Sequence, residues 1–421
     1  SNEFKTRYKD ENHPYPSLLD PNKLKDINEE LNYHSIDANL AWELNLPLPD
    51  NYEFVFWGGH GVGNFGFHNF MRNFGFDTIY YFDIFNSKNS YLHFYKRSLS
   101  LDCLFYIAII DYSPSSLKCL YLINSKKSIC LVRDPISSLK HHLNYKWPNK
   151  RCYLKFINLE YNLKEILRNR VAYITSAAGR LEENPSCNSA TIIMDNHYSY
   201  FHDSALKKHL IGIRKTYFID MQEIVGEKTI KTFKDLSKNF NLKKAIIEDK
   251  AFFNINFGAY VNMLPINIDL TKELNSNEKI IISLHNRGHA LLKSKVDKSH
   301  MMINDIFSIN DEDLSYVIET KYYDDLLKAL ENNHYLKNIE AYLNKLILAV
   351  KDQKQIEDKK RISEEKLLEY FKKNKEMALK FKKILDEEHL PYIKKQRPDI
   401  VKSWKYYEEF ERMCEELDGR A

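Results

Sequence analysis

The chain has 421 residues, of which 62 are basic and 58 acidic, for a formal net charge of +4. That length buries a sizeable core and allows two to three domains, or one large domain with extensions. The near balance of charge, with no long basic block, argues against broad nucleic-acid binding, and no apolar run is long enough to cross a bilayer.

The six cysteines, Cys103, Cys119, Cys130, Cys152, Cys187 and Cys414, are scattered without a C-x-x-C pair. This argues against a disulfide framework or a thiolate zinc site and fits a reducing compartment. The start, SNEFKTRYKDENHPYP, is polar and unlike a signal peptide. The expectation is a cytoplasmic protein, peripheral to an inner membrane at most, with no transmembrane segment and no nucleic-acid partner.

Residues 1–51 are rich in Pro, Asn and Asp and close with AWELNLPLPDNY, where Pro47 and Pro49 stop a helix. They are expected to form an N-terminal arm. From 52 to 265, short apolar runs alternate with helical patterns: YEFVFW, CLFYIAII (103–110), SICLV (128–132), ATIIM (190–194) and TYFID (216–220). The alternation predicts an α/β core with a mainly parallel sheet flanked by helices. Residues 266–350 are expected to complete that core with a strand at KIIISL (279–284) and a helix over 326–350. Residues 351–421 carry Leu367, Phe371, Ala378, Phe381 and Leu385 at helical spacing, with breaks near Pro391 and Pro398. These amphipathic helices are expected to pack on the body or on a partner, a second copy of the chain included.

Three stretches carry the chemistry. In FVFWGGHGVGNFGFHNF (54–70), Gly58, Gly59, Gly61 and Gly63 lie between an apolar run and a helical pattern. Glycines so dense let backbone N–H groups converge on a phosphate or sulfate at a helix N-terminus. A tight turn without a ligand is the alternative. In SICLVRDPISSLKHHLNY (128–145), Arg133 follows a strand, at the edge where open α/β sheets bind ligands. Its planar fork suits a phosphate, and an Arg–Asp clamp on the turn is the alternative. The third stretch, TYFIDMQEIVGEKTIKTFKDLSKNFNL (216–242), reads as a strand, an acidic corner and an amphipathic helix with Ile230, Phe233, Leu236 and Phe240 on one face.

Taken in order, the three stretches resemble the sulfotransferase superfamily over about residues 52–245, as a distant bacterial branch. The family pairs an early strand–loop–helix, which holds the 5′-phosphosulfate of 3′-phosphoadenosine 5′-phosphosulfate, with a later strand ending in Arg-Asp-Pro that holds the 3′-phosphate. The resemblance implies a sulfuryl transfer from that nucleotide donor to a hydroxyl of a glycan or small acceptor, with no metal. On it, Gly59, Gly61, Gly63 and Asn64 cradle the phosphosulfate, with Asn64 replacing the usual loop hydroxyl. Arg133, Ser137, Ser138 and His141 fix the 3′-phosphate. His60 stands in for the usual loop cation, and Lys or Arg followed by Gly-Thr-Thr is missing. The family's base often lies in a turn matched here by Asp111-Tyr112-Ser113-Pro114, which makes Asp111 the candidate, a helix N-cap or turn residue being the alternative.

Two competing functions remain. A kinase or glycosyltransferase is disfavoured for ATP or GTP because Asn64-Phe65 stands where a P-loop needs Lys-Ser/Thr. A non-catalytic binding or scaffold protein on the same fold is the other. Elsewhere, Asp195, His197, His202 and Asp203 are expected in a polar loop rather than a metal site. The segment 285–295, with His285, Arg287, His289, Lys293 and Lys295, is expected as a solvated turn or a source of late cationic contacts.

Overall fold

A computed structural model describes residues 33–419 except 126, 150–153, 169, 176–178, 241, 243–249 and 332. Cys152 and most of the expected N-terminal arm lie outside the described residues.

Five strands form the central sheet: β1 (Val55–Trp57), β2 (Asp77–Tyr80), β3 (Phe105–Ile109), β4 (Ser128–Val132) and β5 (Thr216–Asp220), in the order β5-β4-β1-β3-β2. Every pairing in it is parallel. The register sets Trp57 beside Ile109 and Cys130, so β1, β3 and β4 end at one edge. β1, β3 and β4 are buried along their whole length, as a sheet covered on both faces requires.

Alternate residues divide between two cores, because side chains of a strand point to opposite faces. On one face Phe54, Phe56, Tyr106, Ile129 and Leu131 pack with Phe67 and Phe70 of α1 (Asn64–Asn73) and with Phe233. On the other, Val55, Trp57, Ile107, Cys130 and Val132 pack under the C-terminal helices through Leu367, Phe371, Ala378, Phe381 and Leu385. Those helices therefore belong to the body. They run as α4 (Glu364–Lys373), a helix at Lys375–Ile384, a π-helical turn at Leu385–His389 and helices at Leu390–Gln396, Pro398–Lys402 and α5 (Lys405–Asp418). Between α1 and α4 in chain order lie α2 (Pro135–Leu143), which follows β4, and α3 (Asn333–Lys359). Pro391 and Pro398 each open a helix, where a missing N–H costs nothing.

A second, antiparallel sheet joins residues 266–269, 281–286, 314–319 and 300–302 in that order and packs in its own core with α3. Two expectations change. ATIIM is not a strand but part of a helix, Ala190–Asp195, whose Ala190, Ile193 and Met194 face the core at helical spacing. The single helix expected over 326–350 is two, Tyr323–Leu330 and Asn333–Lys359.

Candidate functional site

The glycine loop leaves the carboxyl end of β1 and runs directly into α1, whose N-cap is Gly63. Gly61 and Gly63 both have positive φ, +83° and +106°, a region open to glycine and strained for most other residues. Gly61 needs its missing side chain for a second reason, since a Cβ there would overlap His142 Nε2. Gly59 is pressed against the backbone of Tyr200, whose carbonyl a Cβ would also overlap.

Four consecutive carbonyls of this loop are engaged. Asn64 Nδ2 donates to the Gly58 and Gly59 oxygens at 3.1 and 3.0 Å. His142 Nε2 donates to the His60 oxygen at 2.7 Å, with Ser138 Oγ on the same oxygen at 3.4 Å. Arg133 Nη1 donates to the Gly61 oxygen at 2.8 Å. By contrast, the N–H groups of Gly61, Gly63 and Asn64 have no acceptor among the described residues. A loop with its acceptors held back and its donors free, at the start of a helix, favours negative charge. The sequence places the Asn64 amide among the donors to a ligand. Its donors instead brace the loop, and its buried Oδ1 has no partner among the described residues, so only the Asn64 backbone N–H remains for a ligand.

His60 and Asp111, expected in separate roles, form one unit. His60 Nε2 lies 3.1 Å from both Asp111 carboxylate oxygens. A carboxylate accepts, so Nε2 carries the proton and Nδ1 of the neutral ring keeps a lone pair. Burial pushes the Asp111 carboxyl up, but hydrogen bonds from His60 and Ser199 oppose it, and the group is held below its ordinary value. Asp111 is therefore bonded to His60 rather than free. The His60 ring is half-exposed, at 47 %.

α2 divides its side chains between two neighbours. Ser138 and His142, four residues apart on one face, both reach the glycine loop. Burial pushes the His142 imidazole well down, so it holds the loop as a neutral donor. Ser137 and Lys140 face α4 instead, donating to Glu364 Oε1 at 2.8 and 2.6 Å. His141 is neutral too, pushed down to about 3 by burial and then by Arg133, Arg361 and Lys140. Thus Ser137 and Ser138, expected side by side on one phosphate, point to different partners.

Arg133 acts as a clamp, but on the loop, through the Gly61 carbonyl, rather than on its neighbour Asp134. Asp134 caps α2 through the N–H groups of Ile136 and Ser137 and takes the Tyr406 and Tyr407 N–H groups at the start of α5. At the end of β5, Asp220 closes a capping box with Glu223 and accepts Trp404 Nε1 at 2.5 Å. Trp404 is fully buried. Two strand-end aspartates thus fix the C-terminal helices beside the site.

The other histidines are less exposed than expected. His202 and Asp203 are fully buried, Asp203 lies 3.4 Å from His389 Nδ1, and burial pushes the Asp203 carboxyl up to about 8. Asp195 pairs with Lys380 at 2.6 Å. No three metal-ligating side chains converge among the described residues. The segment 285–295 is not a solvated turn: His285 lies near the end of a strand, Arg287–Leu291 is helical, and His289 packs 5.2 Å from the Phe65 ring in the first turn of α1.

Sequence reasoning gave His142, on the helix after Arg133, no role of its own and missed Glu364, Tyr200 and Trp404. Only His142 left a signal, its four-residue offset from Ser138. The others reach the site across long stretches of chain that no local pattern links.

Residues 218–417 match the model of a family described as a protein of unknown function, DUF2972. The match begins within β5 and takes in Asp220, Glu364 and Trp404, while the glycine loop, Asp111 and Arg133 precede it. No curated protein and no solved structure matches the chain. Among the described residues no helix is long and apolar enough to cross a membrane.

Proposed function

We propose that the chain is a sulfotransferase-like transferase, moving a sulfuryl group from 3′-phosphoadenosine 5′-phosphosulfate to a hydroxyl of a glycan or small acceptor. The observation that carries this reading is the glycine loop, whose carbonyls are engaged and whose N–H groups at Gly61, Gly63 and Asn64 are free among the described residues, beside the His60–Asp111 pair. A central strand with neighbours on both sides, entered from opposite directions in the chain, makes its carboxyl end the usual ligand crevice of an open parallel sheet. The scattered cysteines support a reducing, cytoplasmic setting.

In this reading His60 Nδ1 takes the proton of the acceptor hydroxyl while Asp111 steadies the imidazolium. The acceptor oxygen bonds to sulfur as the sulfur–bridging oxygen bond breaks. The charge left on the 5′-phosphate falls on the loop N–H groups and the α1 dipole. Arg133 keeps the loop in shape through Gly61, and its other guanidinium nitrogens, without a hydrogen-bond partner among the described residues, are left for an anion.

The test is turnover. The full chain, given the donor and a panel of hydroxyl-bearing glycans, should release 3′-phosphoadenosine 5′-phosphate only when an acceptor is present. Consumption of sugar nucleotides instead would replace this reading with a glycosyltransferase, and binding without turnover of any donor would leave a binding protein on the same fold.

A further inference from the structure

The two halves of the ligand edge differ in what already occupies them. At the end of β4, two groups that suit an anion, the Ser137 hydroxyl and the Lys140 ammonium, close on a carboxylate that the chain supplies itself. Glu364 Oε1 takes Ser137 Oγ at 2.8 Å and Lys140 Nζ at 2.6 Å. The ion pair is well shielded, with 16 % of the Lys140 side chain and 14 % of the Glu364 side chain exposed. Burial pushes the Arg133 guanidinium down, and the nearby carboxylates of Glu364, Asp134 and Asp220 oppose that.

Glu364 is held there by more than its own contacts. It opens α4, whose N-cap Ser363 accepts the Lys366 N–H, and just before it the Ile362 N–H and carbonyl are both bonded to the Asn144 side chain at the end of α2. Leu367 and Phe371 then anchor α4 in the core. A carboxylate presented from so fixed a helix competes with an outside anion at a high effective concentration.

We propose that Glu364 is a specificity-determining residue that fills the anion seat at the end of β4 from within, so that a second phosphate on the donor adds no affinity unless it displaces this carboxylate. The proposal rests on the reading of the glycine loop as the donor cradle. It adds a rule that the resemblance does not supply: the nucleotide is held through its 5′ end, and the 3′-phosphate is discriminated by a residue of the C-terminal helices. A like charge at the same donors costs binding, and neutralising it restores the seat.

The test titrates the full chain and its Glu364→Gln variant with adenosine 5′-phosphate, with 3′-phosphoadenosine 5′-phosphate and with inorganic phosphate. Gln keeps an acceptor for Ser137 and Lys140 but removes the charge. The wild type should bind the two nucleotides within about twofold of each other, and Glu364→Gln should prefer the bisphosphate by about tenfold, the effect of one charge-assisted bond. The variant should also gain binding of inorganic phosphate, and Ser137→Ala added to it should remove that gain. A wild type that already prefers the bisphosphate tenfold, or a folded variant with neither gain, overturns the proposal. If phosphate binding is gained while neither nucleotide binds either protein, Glu364 has its role and the nucleotide reading fails. Should Glu364→Gln unfold, Glu364→Asp, which withdraws the carboxylate from Ser137 and Lys140 but leaves its charge nearby, must give a gain in phosphate binding of the same sign and smaller size, or the proposal falls.

Discussion

The glycine loop and the end of β4 lie along the same edge of one sheet and solve opposite problems. In the loop, side chains of Asn64, Ser138, His142 and Arg133 hold the carbonyls, which leaves N–H groups without partners among the described residues. At β4 the donors are the groups already held, Ser137 and Lys140 by Glu364, while Asp134 and Asp220 hold the C-terminal helices. Residue type alone therefore does not make an anion site. What decides is whether the fold has left the donors free.

The dyad on the loop side should give the greatest loss. His60→Gln, which removes the base, should lower kcat/KM by about 10²–10⁴-fold with the melting temperature nearly unchanged, because the ring is half-exposed. Asp111→Asn should act in the same direction, since it keeps an acceptor for Nε2 but not the charge. A loss in either variant that equals the loss of stability would dissolve the distinction between a catalytic half and a structural half.

Next in size is Gly61→Val. The positive φ strains a β-branched residue by about 1–3 kcal/mol, and the added Cβ also collides with His142. Thermal unfolding should shift down, and anion binding should vanish even where the fold persists. Retained binding would mean that the loop is only a turn.

Arg133→Ala and Ser137→Ala separate the two regions further. Arg133→Ala frees the Gly61 carbonyl and removes a cation, so nucleotide affinity should fall by about 1.5–3 kcal/mol. Ser137→Ala should leave affinity nearly unchanged, because its hydroxyl already serves Glu364. Calorimetry on both variants checks this, and equal losses would return Ser137 to the phosphate.

A pH dependence is the weakest of these effects. Burial pushes the Glu364 carboxyl up, but the Lys140 and Ser137 contacts outweigh it and hold it below its ordinary value of 4.5. A carboxyl lowered by folding stabilises the folded chain fully above that value, and the contribution is lost as pH falls through the folded one. Melting temperature should therefore drop less steeply below pH 4.5 in Glu364→Gln than in the wild type, by an amount corresponding to no more than about 1 kcal/mol.

Much of the fold was legible. Four of the apolar runs, at 54–57, 103–110, 128–132 and 216–220, became parallel strands, because short runs bounded by turn residues and separated by helical patterns admit few other structures. ATIIM misled because five apolar-rich residues fit a buried strand and a buried helix equally, and packing on the C-terminal helices decided it. In the site, the glycine loop and Arg133 were legible as residue types with a conformational reason. Their partners were not: Glu364 lies 227 residues from Ser137, and Tyr200 is also far along the chain from the Gly59 it covers, so no local pattern encodes either contact. Ser137 and Ser138 show the same limit within one helix. One residue turns a side chain by about 100° and changes its partner from α4 to the loop.

Amide exchange of the loop reads its free donors without any need for an acceptor or for turnover. Hydrogen–deuterium exchange of a peptide covering residues 58–67 should be measured in the full chain, alone and saturated with 3′-phosphoadenosine 5′-phosphate. The Gly61, Gly63 and Asn64 amides should exchange quickly in the free chain and be protected by the nucleotide, with no such protection in Gly61→Val. Unchanged exchange at these amides under saturating nucleotide would contradict the anion cradle, since the ligand would then be held somewhere other than the loop.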